Sequence, residues 1–112
     1  MADELAFLIY QVTRDFPKDE IYGLTSQIRR ATVSVPSNIV EGCARESQSE
    51  YLRFLEIAFG SLRELRYQCN LANRLGYLKT DYQALDTKIQ ELEKSLNTLI
   101  RTLRPSSSRS SV

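Results

Sequence analysis

Residues 80–105 read TDYQALDTKIQELEKSLNTLIRTLRP, and this stretch decides the fold class. Tyr82, Leu85, Ile89, Leu92, Leu96, Leu99 and Leu103 recur at alternating intervals of three and four, the period of one helix face. A half-buried strand would instead alternate at every second position. Thr80-Asp81-Tyr82-Gln83 fits a capping box. Arg101 and Arg104 suit the negative end of the helix dipole, and Pro105 stops the run. A helix is expected over about 80–104.

The same grammar extends toward the N-terminus. Ser47-Gln48-Ser49-Glu50 is a second capping box, followed by a heptad seam of Tyr51, Leu55, Ala58, Leu62, Leu65, Cys69 and Ala72. Gly76 is placed to close that helix, over 47–75, as the residue after its C-cap. Leu24, Ile28, Ala31, Val35 and Ile39 form an earlier seam, over 18–42, with Asp19 and Glu20 in its first turn and Gly42 at its close. Thr32-Val33-Ser34-Val35 has strand propensity, and Pro36 should break a helix interior. The seam nevertheless keeps its phase across Pro36, so one kinked helix is the better reading. Leu5, Ile9, Val12 and Phe16 give a first helix over 2–16, ended by Phe16-Pro17.

Four amphipathic segments with short connections predict an all-α protein: an antiparallel up-down-up-down four-helix bundle over 1–104, with helix 2 kinked at Pro36. Residues 105–112 read as a disordered polar Ser-rich tail. The first helix is much shorter than the third and fourth, so either those helices overhang it or another subunit covers the gap.

Composition narrows the function. The chain has 112 residues, enough for one domain, with 42% apolar and 26% charged residues. A net charge of +1 places no global demand for a polyanionic partner. Histidine is absent, which removes the commonest neutral-pH base and the Glu-x-x-His pairs of di-iron bundles. Cys43 and Cys69 show no CxxC spacing, and no Gly-rich phosphate loop or nucleophile elbow occurs. Glu41, Glu56 and Glu64 could form a carboxylate site, but salt bridges are the simpler reading. No enzyme activity, cofactor or metal is expected. Met1-Ala2-Asp3-Glu4 lacks a signal-peptide pattern and no membrane span is visible, so a cytoplasmic protein is expected.

Two surfaces stand out. Val33 and Val40 on helix 2, and Phe54 and Ile57 on helix 3, lie off the core seams, and Gly60 interrupts a helix where a close neighbour would justify it. They read as an oligomer interface, or as wide stripes around one core. The cations from Arg29 to Arg74 are all arginine, including Arg30, Arg45, Arg63, Arg66 and Arg74. Arginine's planar fork suits phosphate. These six could face RNA or an acidic partner, or form a solvated face laced with ion pairs.

The segment from Phe16 through Tyr22-Gly23-Leu24 to Arg29-Arg30-Ala31, continuing into Ser34-Val35-Pro36-Ser37-Asn38-Ile39-Val40-Glu41-Gly42, resembles a known family. Phe54-Leu55-Glu56-Ile57-Ala58-Phe59-Gly60 and Leu75-Gly76-Tyr77-Leu78 match it too. These are the bacterial four-helix-bundle proteins encoded by intervening sequences of 23S ribosomal RNA genes. The resemblance implies a motif of Arg30, Ser34, Pro36, Ser37, Asn38, Glu41 and Gly42. It also implies a homopentamer without catalytic activity, and kinship with the accessory protein of diversity-generating retroelements, a basic pentamer that binds nucleic acid and a reverse transcriptase. The partners so implied are other copies of the chain, RNA, or a nucleic-acid-processing protein.

Overall fold

The computed structural model describes residues 1–105, so the tail beyond Pro105 lies outside the described residues. Four helices form: α1 (Ala2–Thr13), α2 (Leu24–Cys43), α3 (Gln48–Arg74) and α4 (Tyr82–Leu103). A short 3-10 turn at Lys18–Glu20 precedes α2. No strand occurs among the described residues.

Each helix buries the face its apolar spacing marks. Leu5, Ile9 and Val12 of α1, Ile28, Ala31 and Val35 of α2, Leu55 to Ala72 along α3, and Leu85, Ile89, Leu92 and Leu96 of α4 join in one cluster. Consecutive helices are neighbours, with α2 most extensively packed on α3, and α1 touching α4 only lightly. The 48 Å long axis is set by α3, whose 27 residues span about 40 Å. With 12 residues, α1 covers less than half of that length. Between α1 and α4 a recess of about 460 Å³ remains, lined by Met1, Glu4, Leu5, Leu8, Lys88, Glu91 and Leu92.

Several boundaries differ from the sequence reading. α1 ends at Thr13, yet Phe16 still enters the core by its side chain and meets the Tyr77 ring at 5.5 Å. α2 begins at Leu24, so Asp19 and Glu20 lie outside it. Glu20 instead reaches forward: the Leu24 N–H donates to its Oε1 at 3.0 Å and the Tyr77 hydroxyl to its Oε2 at 2.8 Å. Those two bonds, the backbone one foremost, hold the Glu20 carboxyl below its ordinary range. One carboxylate thus caps α2 and ties the first connection to the third.

Thr32-Val33-Ser34-Val35 is helical, and α2 runs through Pro36 to Cys43. Gly42 does not close the helix by a left-handed turn, because Gly76 alone has positive φ among the described residues. Ala44 is the C-cap, and Gly42 serves packing, as described below. At the end of α3, Gly76 does adopt φ 78. Its N–H donates to the Asn73 carbonyl at 3.0 Å, and the Tyr77 N–H to Ala72 at 2.9 Å, the paired bonds of a Schellman closure.

Ser47 caps α3 as read, accepting from the Glu50 N–H at 3.1 Å. On α4 the cap is Asp81 and not Thr80, because the Asp81 carboxylate accepts from both Gln83 and Ala84 N–H groups. The seam of α4 also shifts near its end, where Ile100 is buried and Leu99 is 37% exposed. A straight helix drifts against a strict seven-residue repeat, so after Leu96 a step of four stays on the core face better than a step of three.

Candidate interaction surface

The motif of α2 is largely a clamp on α3. The Ser34 and Ser61 hydroxyls share a hydrogen bond of 2.9 Å across the two helices. Asn38 Nδ2 donates to both the Ser34 carbonyl, at 2.8 Å, and the Ser34 hydroxyl, at 3.0 Å. One helical turn on, a Cβ at Gly42 would lie 3.0 Å from Phe54 Cβ and 3.0 Å from Tyr51 Cδ1. Only a residue without a side chain lets the helices approach this closely. Pro36 is half-buried, while Ser37, Glu41 and Arg30 are exposed. The motif therefore divides into a packing half and a solvent-facing half.

The six arginines separate in a similar way. Arg29 faces α1: its Nε donates to Thr13 Oγ1 at 2.8 Å, and its guanidinium lies 4.7 Å over the Tyr10 ring. Arg45 pairs with Glu41 and lies 5.3 Å from the Phe54 ring, which Arg53 flanks at the same distance. Arg66 forks onto Asp86, Nε to Oδ1 at 2.9 Å and Nη2 to Oδ2 at 3.3 Å, and donates from Nη1 to Glu93 at 3.2 Å. Gln90 completes this group by donating to Asp86 Oδ2 at 2.7 Å. The Arg66 fork holds the Asp86 carboxyl below its ordinary range despite burial. Arg63 approaches the same Glu93 at 3.7 Å and lies 6.0 Å from the Phe59 ring. Arg30 and Arg74 are exposed and form no salt bridge with any described residue.

The apolar candidates behave alike. Val33, Val40 and Ile57 are 41%, 70% and 42% exposed. Phe54 is half-buried between its two arginines, and Gly60 looks onto open space, with nothing within 4 Å of an added Cβ. Cys43 is exposed at the end of α2, and burial pushes the Cys69 thiol up to about 12. No group of three or more His, Cys, Asp or Glu among the described residues could hold a metal ion, so Glu41, Glu56 and Glu64 do not converge. Glu41 and Glu56 pair instead with Arg45 and Arg104. No described helix is long and apolar enough to cross a membrane.

The carboxylate ties of Arg66 and the exposure of Tyr67 were not drawn from the sequence. Both had a signal. Asp86 lies beside the core position Leu85, four residues after Tyr82 and three before Ile89 and so at the edge of the α4 seam, and Tyr67 falls on the Arg63, Asn70 and Arg74 side of α3.

Comparison with known proteins agrees with this architecture. A crystal structure of a protein of unknown function, from the S23 ribosomal protein family of Bacteroides thetaiotaomicron, superposes with a TM-score of 0.81. The match covers 89% of this chain and 91% of that one at 24% sequence identity, which shows a shared fold. No curated protein matches the sequence. Residues 1–98 match the family described as 23S rRNA-intervening sequence protein. The chain belongs to the 23S rRNA-intervening sequence protein family.

Proposed function

We propose that the protein is a non-catalytic helical module that assembles with copies of itself through the outer faces of α2 and α3 and presents arginines to RNA. The observation that carries this reading is the exposure of Val33, Val40 and Ile57 on the two most extensively packed helices. Apolar side chains lying in solvent beside an open Gly60 are what a helical interface between subunits would cover. A ring of five is the assembly that the family resemblance supports. Two free cysteines fit a reducing compartment such as the cytoplasm.

Sedimentation velocity tests the assembly. The wild type should sediment as an oligomer at micromolar concentration, and V40E with I57E should sediment as a folded monomer. A monomeric wild type would remove the reading. RNA contact is tested by fluorescence anisotropy at low salt, where binding should weaken steeply as salt rises.

One observation favours a scaffold that binds protein and not nucleic acid. Arg29, Arg45, Arg63 and Arg66 are already engaged within the chain. Capture of a defined protein partner, insensitive to nuclease, together with no RNA binding at low salt, selects that alternative.

A further inference from the structure

Tyr67 is 64% exposed on the outer side of α3, and no ring or hydrogen-bond partner among the described residues holds it. An exposed tyrosine ring offers a flat face on which a ligand ring can stack. Its neighbours along the same side are Arg63, four residues before, Asn70, three after, and Arg74, seven after. These spacings return to one face of a helix. Arg63 and Arg74 are thus separated by roughly 16 Å along the helix axis, with the ring between them.

Beside the ring lies an open depression of about 480 Å³, lined by Arg63, Arg66, Tyr67, Asn70, Tyr82 and Asp86. Its floor is rigid. Asn70 Nδ2 donates to the Tyr82 hydroxyl at 3.1 Å, and Arg66 is fixed by its fork on Asp86. At its rim the Arg63 side chain is 65% exposed while keeping Glu93 at 3.7 Å, and beyond the depression on the same side of α3 Arg74 is exposed and has no salt bridge. The Asn70 side-chain carbonyl is the amide end left over for a donor on a ligand.

We infer that this groove binds single-stranded RNA, with Tyr67 as the platform on which an unpaired base stacks and Arg63 and Arg74 on the flanking phosphates. The inference rests on the RNA reading above and goes further, naming the form of RNA and a residue for it. A flat ring between two cations matches a strand whose bases are free to splay out, and a paired helix offers no base face to stack on. An acidic peptide would satisfy the arginines but leave the ring unused.

The test compares a fluorescein-labelled single-stranded RNA oligonucleotide with an RNA hairpin of the same length, by anisotropy at low salt. The full-length wild type should bind the single strand more tightly. Y67A should weaken that binding about five- to a hundredfold and leave hairpin binding nearly unchanged, while Y67F retains affinity. Circular dichroism melting confirms that each variant stays folded, as expected for an exposed side chain. Unchanged single-strand affinity in Y67A overturns the inference, as does equal loss in Y67F or preference for the hairpin. If Y67A binds the single strand as tightly as wild type while R74E loses binding, the inference fails and the broader RNA reading survives. If the wild type binds neither RNA, both fall. A poly-glutamate peptide of equal charge that competes as well as unlabelled single-stranded RNA at equal concentration also overturns it, since the base then adds nothing to binding.

Discussion

The same substitution at two glycines separates packing from helix propensity. Gly42 and Gly60 both lie inside helices, so alanine at either position should gain about 1 kcal/mol from propensity alone. At Gly60 the new methyl meets nothing within 4 Å. G60A in the isolated chain should therefore be more stable than wild type by about that amount. At Gly42 the methyl would lie 3.0 Å from both Phe54 Cβ and Tyr51 Cδ1. Phe54 Cβ is close to the backbone and cannot swing aside, so α2 and α3 must separate slightly. Overpacking of this kind costs about 1–3 kcal/mol, which cancels the propensity gain or exceeds it. G42A should then fall below G60A by about 1–3 kcal/mol, a difference in which propensity drops out. Urea unfolding gives both values if the slopes agree, measured at several protein concentrations because self-association would add to stability. G42A equal to or more stable than G60A would refute the close approach of the two helices. A concentration-dependent loss confined to G60A would place that residue in a subunit contact.

Two further outcomes follow from the caps and the ion pairs. D81A should cost about 1 kcal/mol in thermal or urea unfolding while T80A costs a few tenths, because Asp81 alone accepts from the first N–H groups of α4. The Arg66 fork lowers the Asp86 carboxyl, so the unfolded chain binds more protons than the folded one as pH drops below about 4. The contribution of Asp86 is present above that pH and lost as pH falls through the folded value. D86N should be less stable at neutral pH and show a flatter acid limb, read by melting from pH 7 to pH 2.

The bundle was legible because its signals are local. Spacings of three and four survive any tertiary arrangement, and Ser47 and Gly76 act within a few residues of themselves. What the sequence concealed depends on distant partners. Glu20 looked like a first-turn residue of a helix, and only Tyr77 and Leu24 reveal it as a cap held from two sides. Gly42 sat where a helix-closing glycine belongs, and the reason for it lies on α3. Val33, Val40 and Ile57 were readable as off-seam, since burial follows helix phase. The arginines were not readable one by one, because whether a guanidinium is free depends on carboxylates that approach from another helix.

That dependence also ranks the arginines for any polyanion. Arg66 commits three N–H donors to Asp86 and Glu93, and two carboxylates offset its single charge. It retains donors for a ligand but brings no net attraction, so it orients more than it steers. Arg30 and Arg74 have no salt bridge and carry their full charge to the surface. If phosphate is the ligand, R74A and R30A should each lower the slope of log affinity against log salt by about one. R66A should change that slope little, because an arginine held on Asp86 and Glu93 displaces no counterion from phosphate. A loss of slope in R66A as large as in R74A would mean that RNA displaces Asp86 from Arg66, and that the fork is a latch and not a strut.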